Sequence, residues 1–448
     1  MNRRPSLLLN RAFWTIGSYA VSISLRLGTN VVVSRLLAPE LLGIMVIVNS
    51  IKTGVELLTD VGIEQNIVSS PSGLNPKFLN TAWTIQVIRG ACLCLLMLAL
   101  SIPLSGFYQV DAVIFVLMAF APFLNSLHST SIFVLVKQLE VRKRNLFELG
   151  AETIASTLNV LLALLNPTIW APLFGVLGGI SARSTLSHLL RRGMPRFTID
   201  KSSAKEIFRF GKWITMSSFV VYTASNLDRI YLGKAVDLGI LGVFGLARTI
   251  ADLAPALSSR LSYQVLFPAL SAMRAERGNS VGPGFRSLRR KFVFSASVCL
   301  SFAIAWADMA VTSLYDPRYH DASWMLCVLL VGSWFGVLSN LNEATLLGLG
   351  KPAYNTISNT IKLGVIAVGI PIGLVYLGLL GAILAIVMGE LFRLFFIVMI
   401  QESIGEGFAR QDAGATTLLI ALLIGWVLLR TEIGLQGPLN AALLWQRS

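Results

Sequence analysis

Residues Arg35 to Glu64 read RLLAPELLGIMVIVNSIKTGVELLTDVGIE. A basic residue and a short turn lead into Leu42-Gly43 and then an apolar run. Crossing a bilayer core takes about 20 apolar residues in a helix, and residues 41–64 supply that length. The run is interrupted by Lys52, Glu56, Asp60 and Glu64, spaced by four throughout. On a continuous helix each such step turns about 400°, so the four side chains keep largely to one face. A charge at the bilayer centre costs about 2.5–3.5 kcal/mol on insertion scales, so this face meets a cavity or partners rather than lipid. It is either a functional surface or a salt-bridged stripe that only lines a watery vestibule.

The rest of the chain repeats this pattern. It has 448 residues, 54% hydrophobic and 13% charged, and a mean hydropathy of +0.70. Soluble domains carry roughly 25% charged residues. A soluble enzyme, a disordered scaffold and a collagen-like fibre are excluded, and a polytopic all-α membrane protein remains. Thirteen spans are expected, at 12–34, 41–64, 79–105, 112–136, 146–165, 169–190, 211–233, 238–262, 292–314, 323–347, 354–376, 380–401 and 413–430. The last apolar piece, Leu439 to Trp445, is too short to span; it is interfacial or a truncated fourteenth helix. Arg3, Arg4 and Arg11 before an apolar run imitate a signal peptide, but the run is long enough to span and is read as a retained first helix.

Charge sets the orientation. The formal net charge is +14. No zinc-finger spacing and no basic patch with interleaved aromatics accompanies it, so nucleic acid is not the expected partner and membrane lipid is. With the N-terminus cytoplasmic, 23 loop Lys and Arg fall inside. Leaving aside Arg447 in the tail, only Arg35, Lys234, Arg318 and Arg430 fall outside, as the positive-inside rule requires. Arg191 to Lys212 and Met273 to Lys291 are the longest polar stretches, both inside, and the first suggests a hinge between two halves. Arg35 to Val46, RLLAPELLGIMV, is echoed 199 residues later by Lys234 to Gly245, KAVDLGILGVFG. Such an offset of about six helices is the internal repeat that transporter folds give.

Catalytic signals are missing. Cys92 and Cys94 point about 200° apart on a helix, and His128, His188 and His320 are scattered, so no metal or cofactor is expected. No phosphate-binding loop of the nucleotide-driven pumps occurs. The interior charges are the chemistry that is left. Arg26, Lys52, Arg89, Arg248 and Lys362 lie inside expected spans, and Arg393 has Glu390 beside it. Asp228, Arg229 and Asp252 lie nearby in the seventh and eighth spans, while Asp308 and Glu343 sit nearer helix ends. Cations converging on a cavity suit an anion such as a diphosphate. Glu56, Asp60, Asp228 and Asp252 either neutralise those cations when the site is empty or bind a coupling proton or Na⁺.

The pattern resembles the bacterial oligosaccharide flippases of the polysaccharide transport family, in the multidrug/oligosaccharidyl-lipid/polysaccharide exporter superfamily. The resemblance is carried by RLLAPELLG (Arg35–Gly43), LTDVGIEQNIV (Leu58–Val68), NLDRIYLG (Asn226–Gly233), LGVFGLA (Leu241–Ala247), LYDPRYHDA (Leu314–Ala322) and LGLGKP (Leu346–Pro352). It covers the chain to about residue 400 and implies 12–14 transmembrane helices in two pseudo-symmetric six-helix lobes around a central cavity. The lobes would be 1–200 and 201–402, with 403–448 as an added helix and tail. It further implies alternating access in the bacterial inner membrane and movement of polyprenyl-diphosphate-linked oligosaccharide for surface polysaccharide. A polymerase and chain-length proteins would be partners in the pathway. Arg26, Lys52 and Arg248 occupy places where related flippases serve the diphosphate.

Two other functions stay open. A cation-coupled drug exporter of the same superfamily would favour cavity carboxylates without many competing Arg and Lys. A polymerising enzyme would need a large external loop, and the external segments here are short; a non-transporting subunit of polysaccharide assembly is the third possibility.

Overall fold

The computed structural model describes residues 5–58, 60–138, 140–190, 195–267, 270 and 282–435. Arg3, Arg4, Arg191, Arg192, Arg274, Arg277 and the piece Leu439 to Trp445 lie outside the described residues. Helix follows helix, and no strand occurs among the described residues. The first half holds α1 (Pro5–Leu36), α2 (Pro39–Leu58), α3 (Ile63–Ser69), α4 (Pro76–Tyr108), α5 (Ala112–Met118), α6 (Phe120–Ser126), α7 (Ser131–Lys137), α8 (Val141–Leu165) and α9 (Trp170–Ser187). After the linker come α10 (Lys201–Ala235), α11 (Leu238–Ala251) and α12 (Leu253–Leu261). The chain ends with α13 (Pro283–Leu314), α14 (Ala322–Gly348), α15 (Ala353–Ser403) and α16 (Ala409–Glu432). Each of the thirteen expected spans has a helix or a broken helix at its place. By length and apolarity, seven helices among the described residues can cross a membrane, or eight if the bent pair 112–126 and 131–137 counts as one span; α15 counts once there but holds two expected spans.

Three spans are broken and two are joined, each for a local reason. The second stops at Leu58, because Gly62 takes the left-handed conformation (φ 59°) and starts α3. The fourth breaks at Ala119 and again at 127–130, bending by 51°. Pro122 has no N–H to offer the Met118 carbonyl, which accounts for the first break. The eighth breaks at Asp252 because Pro255 cannot bond the Ala251 carbonyl. The Ser333 hydroxyl donates to that carbonyl at 2.8 Å instead. Spans 11 and 12 join at Gly378, whose φ of 59° and ψ of −148° only glycine adopts readily. Below this turn the two arms touch backbone to backbone: a Cβ on Gly381 would lie 2.1 Å from the Gly373 carbonyl oxygen.

Caps mark several starts. Asn75 accepts from the Lys77 N–H at 3.0 Å to open α4, and Asp111 accepts from the Val113 N–H at 2.9 Å to open α5. Asp200 opens α10 by accepting from the Ser203 N–H at 2.9 Å and from the Ser202 and Ser203 hydroxyls. These donors, the Ser202 hydroxyl foremost, hold the exposed Asp200 carboxyl well below the usual range, at about 2. The linker before it is laid along α4: the Arg196, Thr198 and Asp200 N–H groups donate to Asn80 (3.2 Å), Thr84 (3.0 Å) and Thr81 (3.0 Å). Phe197 meets the Trp83 ring at 4.7 Å.

Packing divides the chain into two units, Met1–Tyr222 with Leu232–Gly239, and Thr223–Tyr231 with Ile240–Ser448. In unit 1, Ile63, Ile67, Phe78, Leu79, Ala82, Ile85, Val134 and Ile207 form one buried cluster. In unit 2, α14 is the innermost helix, with Trp324 and Trp334 almost fully buried.

Candidate functional site

In unit 1 the acidic stripe opens a cavity of about 250 Å³. The residues arrive there differently from the expectation of one continuous helix. Glu56 is on α2, Asp60 lies in the turn that follows, and Glu64 is on α3, because the Gly62 turn ends the helix first. The carboxylates still share the cavity wall with Arg89 and Gln86 of α4 and with Asn125, Ser126, His128 and Phe133 of the broken span. Arg89 donates to the Glu56 backbone carbonyl and lies 3.7 Å from the Asp60 carboxylate. Glu56 Oε1 is buried with no hydrogen-bond partner among the described residues. Asp60 also accepts from the Gly62 N–H at 3.0 Å, which fixes the turn. The stripe's first member, Lys52, makes no ion pair among the described residues, so the expected Lys52–Glu56 step of a salt-bridged ladder is not formed.

Sequence reading missed the other wall. Where the fourth span unwinds, side chains meet five consecutive carbonyls, 124–128; those of Leu124 and Asn125 also keep backbone donors at 3.3 and 3.5 Å. Ser184 donates to the Leu124 carbonyl at 2.6 Å, and His128 Nδ1 meets that of Asn125. Gln86 donates to Ser126 at 2.7 Å and His128 at 3.1 Å, and His188 Nε2 meets Leu127 at 2.9 Å. Unpaired carbonyls inside a membrane cost several kcal/mol each, so these polar side chains have a structural duty. Pro122 was the one visible signal.

Arg26 has no carboxylate on its own helix. The structure supplies Glu152 of α8, bidentate at 2.8 and 2.7 Å. The Arg26 side chain remains 64% exposed. Beside it, Ala20, Ser24, Gly28 and Val32 of α1 with Val160 of α8 line an apolar groove of about 520 Å³. Arg183 is paired with Glu148 of α8 at 2.8 and 3.2 Å.

In unit 2 the interior charges form two matched groups. In the first, Arg248 donates to Asp228 at 3.0 Å and reaches Asp252 at 2.8 Å, and Arg229 donates to Asp252 at 2.6 Å. Arg229 also donates to Asn226 at 2.9 Å. In the second, Lys362 donates to Glu390 at 2.6 Å. Arg393 contacts Glu390 at 3.1 Å, Glu343 at 2.8 and 3.0 Å, and Asn340 at 3.1 Å. Ser358 and Asn359 donate to the same Glu343 oxygen at 3.0 and 3.2 Å. Four cations face four carboxylates, so the excess of interior positive charge expected from the sequence is absent from these groups. Glu343 and Asp308 mattered more than their places near helix ends suggested: Asp308 is held by Arg430 at 2.7 and 2.6 Å. The groups differ in access. Lys362 is 5% exposed and sealed, whereas Asp252 is 39% exposed.

Comparison with known proteins sets these features in context. A family model described as polysaccharide biosynthesis protein matches residues 32–324. The chain is 21% identical over 300 residues to the teichuronic acid biosynthesis protein TuaB of Bacillus subtilis (strain 168). That match covers 66% of this chain and 62% of TuaB, so the chain spans less than two thirds of that relative's length. It is 22% identical over 420 residues to the lipopolysaccharide biosynthesis protein WzxC of Escherichia coli (strain K12), covering 89% of this chain and 82% of WzxC. Among solved structures, the lipid II flippase MurJ in an inward closed conformation superposes with a TM-score of 0.73 at 12% identity, over 92% of both chains. An inward-facing multidrug resistance MATE family transporter of the MOP superfamily gives 0.67 at 15% identity, over 90% of this chain and 95% of the other. At such identities the structural likeness speaks for the fold, a MurJ- and MATE-like membrane transporter fold.

Proposed function

The chain belongs to the polysaccharide biosynthesis protein family, and from that premise we propose that it moves polyprenyl-diphosphate-linked oligosaccharide across the bacterial inner membrane. Two guanidinium groups bridged by one carboxylate, Arg229 and Arg248 on Asp252, are the observation that carries this reading. Paired guanidiniums grip the oxygens of a phosphate by charge-assisted bonds. The oligosaccharide head must cross a dry core about 30 Å thick. A cation pair takes over the diphosphate's hydration while the prenyl chain stays among lipids, and no covalent step is needed.

The remaining candidates take different roles. Arg26, with a side chain 64% exposed, and Lys52 are the unit 1 cations most available to an anion. Arg89 and Lys362 instead serve neighbouring groups of the protein, Arg89 at the Glu56 carbonyl and Lys362 at Glu390. Glu56, Asp60 and Glu64 suit a coupling cation. The lobes 1–200 and 201–402 would alternate access, with the N-terminus cytoplasmic and a polymerase and chain-length proteins taking the product outside.

Arg248→Ala and Arg229→Ala should abolish polysaccharide export in a deletion strain while the protein stays in the membrane, and Arg26→Ala and Lys52→Ala should do the same. Full export by the Arg229 and Arg248 variants would end the phosphate assignment. The acidic cavity favours one rival, a cation-coupled exporter of cationic drugs. That rival predicts changed drug tolerance in the deletion strain and normal polysaccharide.

A further inference from the structure

We propose that Asp252 is a built-in stand-in for the substrate's phosphate: it occupies the Arg229–Arg248 pair while no ligand is bound and leaves when the diphosphate arrives. The proposal rests on the diphosphate reading above and adds the residue that competes with the ligand.

The geometry separates the two aspartates of this cluster. Asp228 is the fixed counter-charge. Its side chain is 3% exposed, Oδ2 accepts from Arg248 Nε at 3.0 Å, and Oδ1 accepts from the Arg229 backbone N–H at 2.9 Å. Asp252 is the outer one, 39% exposed, with one oxygen on each arginine: Oδ1 on Arg248 at 2.8 Å and Oδ2 on Arg229 at 2.6 Å. Two oxygens on one centre bridging two guanidiniums is also how a phosphate group would bind there. Removing Asp252 leaves neither arginine adrift. Arg248 keeps Asp228, and Arg229 keeps Asn226 at 2.9 Å. The cation pair therefore stays preorganised when its outer carboxylate departs, which lowers the cost of binding an anion. Asp252 also sits at the break between α11 and α12, beside the Ala251 carbonyl that Pro255 leaves to Ser333.

A carboxylate in this position sets affinity from both sides. Together with Asp228 it keeps the two partly buried cations neutralised in the empty protein, and it returns to expel the phosphate after transport. A matched pair elsewhere lacks the property: Arg289 and Asp412 meet at 2.7 Å, but Asp412 is 7% exposed and Arg289 fully enclosed.

The test uses the full-length protein in neutral-lipid nanodiscs with radiolabelled farnesyl diphosphate as probe. Asp252→Asn should bind at least about tenfold more tightly than the unaltered protein, since close charge pairs couple by more than that factor. Asp412→Asn should bind as the unaltered protein does, although it loses a buried ion pair. If Asp252 were merely structural, Asp252→Asn would lower thermal stability without raising affinity. Asp252→Glu keeps the charge and the fold, and it should bind no more tightly than the unaltered protein. A tenfold gain in Asp252→Glu would contradict competition by charge. Unchanged or weaker binding by Asp252→Asn, with binding still lost in Arg248→Ala, would overturn the stand-in and leave the phosphate site intact. Equal binding with and without Arg248 and Arg229, or none to any variant, would overturn both.

Discussion

Glu343 accepts from Arg393, Ser358 and Asn359 at once, and its side chain is 9% exposed. Truncating one partner of a buried pair strands the other charge at a cost of about 3–5 kcal/mol. Glu343→Ala should therefore lower the stability of the purified protein by several-fold more than Glu152→Ala. The latter strands Arg26, whose side chain is 64% exposed and so less enclosed than Arg393 at 8%. Thermal unfolding of both variants in one detergent checks this, and equal losses would contradict it. Asp200 gives a pH dependence. Its carboxyl is held at about 2, below the ordinary 3.8, by the Ser202 hydroxyl and by Ser203. A depressed pKa stabilises the start of α10 above the ordinary value, and that support is lost as pH falls through about 2. Hydrogen-exchange protection at residues 203–205 should hold from pH 8 to 5 and decline only in strong acid. In Asp200→Ala it should be low throughout. The charges themselves were legible in the sequence because a charge in an apolar run stands out. Their partners were not: Glu152 lies 126 positions from Arg26 and Asp308 lies 122 from Arg430, and only tertiary packing brings them together.

Among the elements, the breaks were harder to read than the spans. A spacing of four placed Lys52, Glu56, Asp60 and Glu64 on one helix, but the left-handed Gly62 ends it. The carboxylates share a wall because a turn and a second helix aim them there. Hydropathy cannot register such a turn, since Val61, Gly62 and Ile63 read as apolar continuation. The tight turn at Gly378 was legible only as a gap between two apolar runs. Its arms meet at Gly373 and Gly381, where added methyl groups would lie 2.4 and 2.1 Å from backbone oxygens. Gly381→Ala should therefore splay the α15 hairpin and lower stability by more than the roughly 1–3 kcal/mol typical of overpacking. Gly364→Ala, which meets nothing within 4 Å, should be neutral or slightly stabilising. Thermal unfolding of the two variants decides, and a harmless Gly381→Ala would contradict the backbone contact.

For the whole molecule, thirteen apolar stretches and the skew of basic residues were enough to find a polytopic helical membrane protein, because a bilayer admits few ways to satisfy a backbone; the transporter fold was legible only through the family resemblance. Family membership and the MurJ- and MATE-like fold agree with that reading. Charge balance was not legible. The sequence shows more Lys and Arg than Asp and Glu, yet the interior clusters of unit 2 are matched ion for ion, and the unit 1 cavity is acidic. The function rests on whether the lipid-linked oligosaccharide crosses the membrane through this protein. The most direct measurement locates that intermediate in a strain lacking the gene, with and without the intact gene restored. The account predicts accumulation on the cytoplasmic leaflet, reversed by the intact gene and not by Arg248→Ala. Normal translocation in the deletion strain, or accumulation of unpolymerised units on the outer leaflet, would contradict it.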